Sequence, residues 1–401
     1  MRRSGDKGID VPIGFSAGGM HCGAKRKRKD LSLIFSVKGC TSAALFTRNT
    51  VKAAPLVRGM AQMKAGNRLR AVVVNSGNAN CMTGERGLKD AEKMANVTAE
   101  ALGVPPGEVF VSSTGIIGQY MDMGPILSGI RTLSGNISPN GFESAADGIM
   151  TTDGFRKMSS RKFRVNGREI TMTGIAKGAG MIKPDMATTL VFVITDAAIS
   201  RGALAKALSL STERSFNSIT VDGDMSTNDT ALIMANGMAC NPRISLSSGS
   251  FEKFTSELGA LMLELAAMVV RDGEGAGKFI EVRVKGARKD AEAKKAAETV
   301  ADSLLVKCAA SGEDPNWGRI ASSVGASGVR FDPGKMTIKL DGVAFFRKGK
   351  PVLRAKRLES PVFKGKDILI EVDLASGKGS SVFYSCDITT KYIDLNSFYT
   401  T

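Results

Sequence analysis

Histidine and aromatic residues are scarce in this chain of 401 residues, which contains one His, one Trp and four Tyr. If the protein needs a general base, His21 is the only imidazole that can serve. A nucleophile can instead be activated by its own α-amine when the chain is cut directly before it. With an ordinary pKa of about 7.7–8.0, such an amine is a suitable base near neutral pH.

Cysteine is present, but its spacing excludes the common metal and redox motifs. The six cysteines lie far apart and form no CxxC pair. With a single histidine in the chain, they cannot complete a zinc site of the usual Cys and His ligands. We therefore predict no metal site, and free thiols that are buried as small apolar side chains. The cysteines are Cys22, Cys40, Cys81, Cys240, Cys308 and Cys386.

Long apolar runs are also missing. No segment reaches the roughly 18 consecutive apolar residues that a membrane-spanning helix requires. The first ten residues, MRRSGDKGID, carry both signs of charge and lack the apolar centre of a signal peptide. We therefore expect a cytoplasmic protein without a membrane partner.

Acidic residues are too few to balance the basic ones. The formal net charge is +16, and residues 1–187 hold most of the excess, with 27 Lys and Arg against 14 Asp and Glu. A positive surface attracts anions, which include small carboxylates and nucleic acids. The densest basic run, residues 25–29, lacks the interleaved aromatic residues of a nucleic-acid motif. We interpret it as a solvated loop, with a basic nucleic-acid-binding protein as an alternative.

Short β-branched segments alternate with amphipathic ones along the chain. Strands are predicted at residues 31–37, 70–75, 109–113, 162–172, 189–195, 279–284, 336–340, 367–373 and 381–386. Helices are predicted at residues 88–102, 201–219, 251–270 and 290–306. Asn166-Gly167, within the fourth strand segment, predicts a tight hairpin. Hairpins mixed with helices favour an α+β fold, a layered α/β sandwich of mixed sheets, over a doubly wound parallel sheet.

The segment from Lys177 to Thr195 combines a flexible approach with a buried strand. A Gly and Ala run leads through Pro184 to Ala187-Thr188, and an apolar β-branched stretch follows. Thr188 thus stands where a core strand begins, although most threonines in strands have only a structural role. If the chain is cut before it, Thr188 becomes an N-terminal nucleophile with its own α-amine as base.

Further polar sites follow other elements. The strand predicted at 109–113 runs into Thr114-Gly115, where freed backbone amides and a hydroxyl group can stabilise an oxyanion, unless the turn is only structural. Glu274 follows the helix predicted at 251–270, where the helix dipole disfavours an acid. A substrate ammonium would explain this position, and a solvated loop acid is the alternative. The tail at 392–401 stays apolar and aromatic, so we predict that it docks against the protein.

These segments together resemble the ornithine acetyltransferase family over nearly the whole chain. No single segment decides the resemblance, but their common order argues against coincidence. The segments are residues 75–80 (NSGNAN), 113–115 (STG), 150–153 (MTTD), 176–188 (AKGAGMIKPDMAT), 222–224 (DGD), 271–275 (RDGEG), 312–319 (GEDPNWGR) and 396–401 (NSFYTT).

The resemblance implies an acyltransferase of arginine biosynthesis that cleaves itself. By this likeness the chain is cut between Ala187 and Thr188 into an α chain, 1–187, and a β chain, 188–401, which stay together as an α2β2 heterotetramer. Thr188 is then the nucleophile, and Thr114 and Gly115 form the oxyanion hole.

The resemblance also implies the reaction. The acetyl group of N2-acetylornithine passes to Thr188, and L-glutamate then collects it in a ping-pong sequence. No cofactor is implied, and the use of acetyl-CoA as a second acetyl donor is left open. A self-processed amidase or aminopeptidase, in which water replaces glutamate, is the alternative. The substrate-binding residues implied by the resemblance are Thr151, Lys177, Thr188, Glu274, Asn396 and Thr401.

Overall fold

Two β-sheets organise the fold. The computed structural model describes residues 9–66, 68–183, 189–352 and 362–398, and within these residues the first sheet contains eight strands and the second contains six. The strands of the first sheet are β1 (Phe15–Met20), β2 (Leu31–Phe46), β3 (Leu69–Asn78), β4 (Val109–Ile116), β5 (Lys157–Val165), β6 (Arg168–Lys177), β7 (Leu190–Thr195) and β8 (Thr230–Ala235). Those of the second sheet are β9 (Phe279–Ala287), β10 (Thr337–Leu340), β11 (Val343–Arg347), β12 (Lys350–Pro351), β13 (Asp367–Asp373) and β14 (Gly379–Cys386).

The first sheet is mixed. Its order is β4-β3-β2-β8-β7-β6-β5, with β1 paired to β2. The pairs β3·β4 and β7·β8 are parallel, and the other pairs are antiparallel. Strand β2 is 16 residues long and pairs mainly with β3 through its first half and with β8 through its second half. Strands β7 and β8 consequently lie between β2 and β6.

Helices pack against both sheets. Within the described ranges the α-helices are α1 (Ala54–Ala65), α2 (Gly84–Leu102), α3 (Met123–Ser134), α4 (Phe142–Ile149), α5 (Arg201–Glu213), α6 (Ser250–Arg271), α7 (Asp290–Asp302), α8 (Leu304–Ser311), α9 (Trp317–Ala326) and α10 (Thr390–Phe398). Around β7, helices α5 and α6 contribute to the core on one face of the first sheet, and α4 contributes to the core on the other.

Strand β7 shows why the central strands are apolar at nearly every position. All six of its residues are buried. Val191 and Val193 pack in the core with α5 and α6, while Leu190, Phe192 and Ile194 pack in the core with α4. Successive side chains of a strand face opposite sides of the sheet, so a strand with two covered faces needs apolar residues throughout.

The second sheet instead alternates. In β13, Ile368, Ile370 and Val372 are buried, and the residues between them are more exposed. The buried side chains join those of α7, α8 and α9 in one apolar core. This alternation is typical of a sheet with one face on a core and the other toward solvent.

The structure confirms the α+β class, and each predicted strand is present. The segment predicted at 162–172 is a hairpin in which Asn166 and Gly167 join β5 to β6, with φ angles of 47° and 79°. Strand β3 continues to Asn78, beyond the strand predicted at 70–75.

Each predicted helix is present as well, but two end early. Helix α5 ends at Glu213, where the Ser218 hydroxyl donates to the backbone carbonyl of Glu213 at 2.9 Å. Helix α7 ends at Asp302. The Ser303 side chain then accepts a hydrogen bond from Val306 N and begins α8. In both places a serine side chain satisfies backbone groups that a continuous helix would pair.

Several elements were not predicted, among them β1, β8, α1, α3, α4, α9 and α10. Strand β1 contains Gly18-Gly19, which is unusual for a strand interior. A Cβ added at Gly19 would lie 1.9 Å from the Ser144 carbonyl oxygen, so these glycines allow α4 to approach the strand closely. Strand β8, with the sequence TALIMA, carries the helix-favouring residues Ala, Leu and Met, and its position inside the sheet overrides that preference.

The cysteine prediction is partly wrong. All six thiols are free, but only Cys40, Cys81 and Cys386 are buried. Cys240 and Cys308 are exposed, the first in a loop and the second on the outer side of α8. Among the described residues, no helix combines the length and apolarity needed to cross a bilayer.

Candidate active site

A polar pocket of about 210 Å3 lies where the ends of β4 and β6 meet the loop before β8. Helix α10 and the loop after α6 complete its wall. Six of the residues singled out in the sequence line it: Thr114, Gly115, Thr151, Lys177, Glu274 and Asn396. Ala187, Thr188 and Thr401, which the sequence also indicates, lie outside the described residues.

A larger groove of about 960 Å3 lies between α5, α7 and the second sheet. It is open and lined by many charged residues of both signs, and it contains none of the predicted site residues. Its size alone does not indicate chemistry, because reactive groups in a catalytic site must converge at hydrogen-bonding distance. We therefore build the candidate site on the smaller pocket.

The ends of β3 and β4 approach each other so closely that Gly115 cannot be replaced. Its φ is 132°, and a Cβ there would lie 2.3 Å from the carbonyl carbon of Gly77. Asn228 braces both strand ends, since its Nδ2 donates to the backbone oxygens of Ala79 at 2.7 Å and of Ser113 at 2.8 Å. This arrangement fixes the backbone at the pocket edge, as an oxyanion site requires.

Lys177 ends β6 and faces this edge. Its Nζ donates to Thr114 Oγ1 at 3.0 Å. Burial lowers the pKa of Lys177 and outweighs the carboxylates of Asp153, Asp229 and Glu274, which favour its charged form. In its charged form Lys177 can bind a carboxylate. Because burial opposes that form, a small change in the surroundings can change its protonation state.

A buried network that the sequence did not predict holds the walls of the pocket. Lys157 Nζ lies 2.6 Å from Asp153 Oδ1 and 2.5 Å from Asp272 Oδ2. Asp153 also accepts hydrogen bonds from the backbone amides of Thr151 at 2.8 Å and Gly178 at 2.7 Å. One carboxylate thereby fixes a threonine of the pocket and the residue after Lys177. Burial would raise the pKa of Asp153, but the two lysines lower it to about 2.

Glu274 follows the end of α6, as the sequence predicts. Its Oε2 accepts a hydrogen bond from Asn396 Nδ2 at 2.8 Å, and its backbone N donates to the Ala179 oxygen at 2.9 Å. The neighbouring Gly275 has a φ of 71°, and a Cβ there would lie 2.6 Å from Tyr392 N. The tail thus reaches the pocket through Tyr392 and Asn396. The prediction that it docks by its apolar residues is wrong for the described part, because Ile393, Leu395 and Phe398 are exposed.

Asp222 holds the chain just before the residues that the structure does not describe. Its two carboxylate oxygens accept hydrogen bonds from Met181 N at 2.6 Å and Ile182 N at 2.8 Å. Burial raises the pKa of Asp222 despite these bonds. Burial also raises the pKa of Tyr392, and the negative charge of Asp222 adds to this. In the sequence, Asp222 is distinguished only as part of the DGD segment.

The basic run at 25–29 is not the fully solvated loop that the sequence suggests. Lys25 Nζ donates to the Met150 oxygen at 2.8 Å, and burial lowers its pKa to about 8. Arg28 donates to the Asp153 oxygen at 3.1 Å. The run therefore fastens the loop that carries Thr151, because its cations satisfy backbone oxygens there. Within the described part of the chain, no cluster of His, Cys, Asp and Glu has the geometry of a metal site.

Comparison with known proteins identifies the family. The chain matches the ArgJ family over residues 16–401. The arginine biosynthesis bifunctional protein ArgJ of Symbiobacterium thermophilum is 45% identical over 397 residues, 98% of each chain, and that of Caldanaerobacter subterraneus is 44% identical over 400 residues, 99% of each. The crystal structure of ornithine acetyltransferase complexed with ornithine from Mycobacterium tuberculosis is 34% identical, covering 45% of this chain and 96% of that chain with a TM-score of 0.39. From the match along almost its full length, the chain belongs to the ArgJ family.

Proposed function

We propose that this chain, an acyltransferase of arginine biosynthesis in the ArgJ family, transfers acetyl from N2-acetylornithine to L-glutamate through Thr188. The observation that carries the proposal is the pocket, where six predicted site residues from distant parts of the sequence converge. Thr189 also lines this pocket, and Thr188 directly precedes it in the chain.

The nucleophile forms when the chain is cut between Ala187 and Thr188. The Thr188 hydroxyl attacks the Ala187 carbonyl carbon, the peptide bond is exchanged for an ester, and water hydrolyses the ester. The products are chains 1–187 and 188–401, and the second begins with a free α-amine. The two chains share the first sheet, which supports their staying together, and we propose that two copies of each form an α2β2 assembly.

The transfer is a ping-pong reaction. Thr188 Oγ attacks the acetyl carbon of N2-acetylornithine while the α-amine of Thr188 takes the hydroxyl proton. The bond to ornithine nitrogen breaks, that nitrogen receives the proton, and the acetyl group remains on Thr188 as an ester. The glutamate amine then attacks the ester, gives its proton to the α-amine, and leaves as N-acetylglutamate when the Thr188 hydroxyl is restored.

Thr114 and Gly115 supply the oxyanion hole. The close contact of Gly115 with Gly77 fixes the backbone there, and Lys177 orients the Thr114 hydroxyl by donating to it. Donors that are fixed before the reaction stabilise the negative charge of the tetrahedral intermediate, and one such donor is worth about 2.7–4 kcal/mol.

The charges of the pocket suit both amino acids. Lys177 pairs with a substrate carboxylate, and Glu274 pairs with the side-chain ammonium of ornithine. Asn396 holds the Glu274 carboxylate, and Thr151 is fixed by its neighbour Asp153. Thr401 completes the substrate contacts in this proposal.

Partners and cofactors follow from the same chemistry. The reaction needs no cofactor, and acetyl-CoA is a second acetyl donor to be tested. Lys25 and Arg28 already donate hydrogen bonds to backbone oxygens of the protein, so they give no support to nucleic-acid binding. We propose a cytoplasmic enzyme without nucleic-acid or membrane partners.

Mass spectrometry of the purified protein under denaturing conditions tests the cleavage. We expect fragments 1–187 and 188–401, and radioactive acetyl from N2-acetylornithine should attach only to the second fragment. Thr188→Ser is the matched control, because serine keeps both the hydroxyl group and the α-amine. An uncut chain with full transfer activity would disprove the proposal.

The release of ornithine distinguishes transfer from hydrolysis. For a transferase, steady release of ornithine from N2-acetylornithine requires added glutamate. For a self-processed amidase, release proceeds equally well in water alone. Replacing N2-acetylornithine by acetyl-CoA, and measuring N-acetylglutamate, shows whether the enzyme also accepts acetyl-CoA as an acetyl donor.

A further inference from the structure

Two buried polar atoms of the pocket have no hydrogen-bond partner among the described residues. They are Thr189 Oγ1 and Asp229 Oδ2. Thr189 is 4% exposed and Asp229 is 2% exposed, and both residues line the pocket. Buried polar groups in native proteins are nearly always paired, so two unpaired groups in one pocket indicate that they bind a polar group during function.

The register of the first sheet brings these two residues side by side. Strands β7 and β8 are parallel with Leu190 opposite Thr230, and Thr230 N donates to the Thr189 oxygen at 3.0 Å. Thr189 and Asp229 each precede these paired residues directly. Asp229 therefore lies beside the first residue after Thr188.

The chemistry of the two groups favours a cation that donates hydrogen bonds. Burial raises the pKa of the Asp229 carboxyl group well above its ordinary value. Hydrogen bonds from the side chains of Ser226 and Thr47 and the charge of Lys177 offset this only in part, and Oδ2 keeps no partner among the described residues. A buried carboxylate is stabilised by an opposite charge that also hydrogen-bonds to it. In the described part of the chain Lys177 forms no ion pair with Asp229, and its ammonium donates to Thr114.

We propose that Asp229, with the Thr189 hydroxyl group, is a positioning residue for the α-amine of Thr188. The inference rests on the proposed function, since this amine exists only after cleavage. The carboxylate accepts a hydrogen bond from the amine in its ammonium form and holds the nitrogen in reach of the Thr188 hydroxyl. It also raises the pKa of the amine, since a nearby opposite charge favours the protonated form.

Other titratable groups face the same space and also influence the pKa of the amine. Because they remain in place when Asp229 is replaced, a change in pH dependence reports on Asp229 itself. These groups, from β6, the loop before β8, the loop after α6 and helix α10, are Lys177, Asp222, Asp224, Glu274 and Tyr392.

The test compares Asp229→Asn with Asp196→Asn in the processed enzyme. Asp196 is also buried, but it follows the opposite end of β7. We expect Asp229→Asn to move the acidic limb of the pH profile of kcat/KM to lower pH by about one unit or more. Asp196→Asn should leave the limb in place. The α-amine can be titrated independently by its rate of reaction with an amine-selective reagent, and its pKa should fall with the limb.

An unchanged acidic limb together with an unchanged amine pKa in Asp229→Asn would overturn the inference. A rise in KM for glutamate with no change in the limb would also overturn it, because the carboxylate would then bind the incoming substrate amine. If Asp229→Asn does not fold, Asp229→Ser carries the same test. If the wild-type protein is uncut or transfers no acetyl, the proposed function itself has failed, which the wild-type assay reveals before any variant is made.

Discussion

The two ends of strand β7 place the same residue types in opposite situations. At its last residue, the Thr195 hydroxyl donates to the Thr171 oxygen at 2.8 Å, and the neighbouring Asp196 accepts hydrogen bonds from two backbone amides. Thr189 precedes its first residue, and Asp229 lies beside Thr189 at the start of β8. Each of these buried side chains has an atom without a partner among the described residues. At one end the fold itself supplies hydrogen-bond partners for the polar side chains. At the other end it leaves two polar atoms free to bind a reacting group.

This difference teaches which buried polar residues serve the structure. An unsatisfied buried donor or acceptor costs about 1–3 kcal/mol. A protein of marginal stability retains few such groups, and each calls for an explanation, of which a role in function is one. Burial and residue type are alike at the two ends, so only the hydrogen-bond inventory separates them. The predictions below test this separation, beginning with the largest effect.

Replacing the proposed nucleophile, Thr188, should have the largest effect. We expect Thr188→Ala to remain uncut and to lower the rate of acetyl transfer on the order of 10⁴-fold or more, because both the hydroxyl group and the free amine are lost. Thr195→Ala, at the satisfied end of the strand, should be cut normally and should transfer acetyl. Electrophoresis under denaturing conditions and a transfer assay measure both outcomes. Cleavage in Thr188→Ala would place the nucleophile elsewhere.

The buried ion network on the pocket side should dominate stability. Lys157→Met leaves the carboxylates of Asp153 and Asp272 without their common cation, so we expect the free energy of unfolding to fall by about 3–5 kcal/mol. Lys307→Met is the control: Lys307 is also buried, but the acceptors for its ammonium are the hydroxyl group of Ser385 and a backbone oxygen. Chemical denaturation should show a smaller loss there. Equal losses would mean that burial of a lysine, and not its partners, decides the effect.

The same network of Lys157, Asp153 and Asp272 should make the stability of the protein depend on pH in the acid range. The pKa of Asp153 falls from its ordinary 3.8 to about 2 in the folded protein. The folded state therefore binds the proton less well, and the carboxylate contributes about 2 kcal/mol that is present above pH 4 and lost as the pH falls toward 2. Asp153→Asn should remove this slope between pH 4 and pH 2. Denaturation curves at several pH values measure it, and a slope that persists in the variant would assign it to another acid.

The smallest effect is a difference in stability between Asp196→Asn and Asp229→Asn. Each is made in the uncut Thr188→Ala protein, and the free energy of unfolding is measured. Asp196→Asn replaces one acceptor of a backbone N–H by an amide NH2, which cannot accept. Burial raises the pKa of Asp196 too, but we expect the lost hydrogen bond to outweigh that penalty and to lower the free energy of unfolding by about 1.5–3 kcal/mol. Asp229→Asn should leave it unchanged or raise it. The raised pKa of Asp229 means that its ionisation above its unfolded pKa opposes folding, and an amide removes that penalty. Equal losses at neutral pH would show that the two ends of β7 do not differ.

Local patterns in the sequence predicted much of the fold and part of the site. Periodicity predicts the long helix α6 and most of the strands, though not β1 or β8. Thr114-Gly115, Lys177 and Glu274 lie at or near the ends of elements, where sequence motifs can be recognised. The network of Lys157 with Asp272 could not be predicted, since 115 positions separate these residues and no spacing rule links them. Asp229 offered a weak signal, as an acid directly before an apolar strand. Only the sheet register shows that it neighbours Thr189.

The order of strands in the first sheet has a consequence for the sequence of events in maturation. Strands β7 and β8 come from the chain after residue 188, yet they are enclosed by β2 and β6 from the chain before it. An interleaved sheet of this kind cannot be assembled from two separate polypeptides without rebuilding its centre. Folding must therefore precede the proposed scission, and the two halves expressed as separate genes should not reconstitute the enzyme simply by mixing.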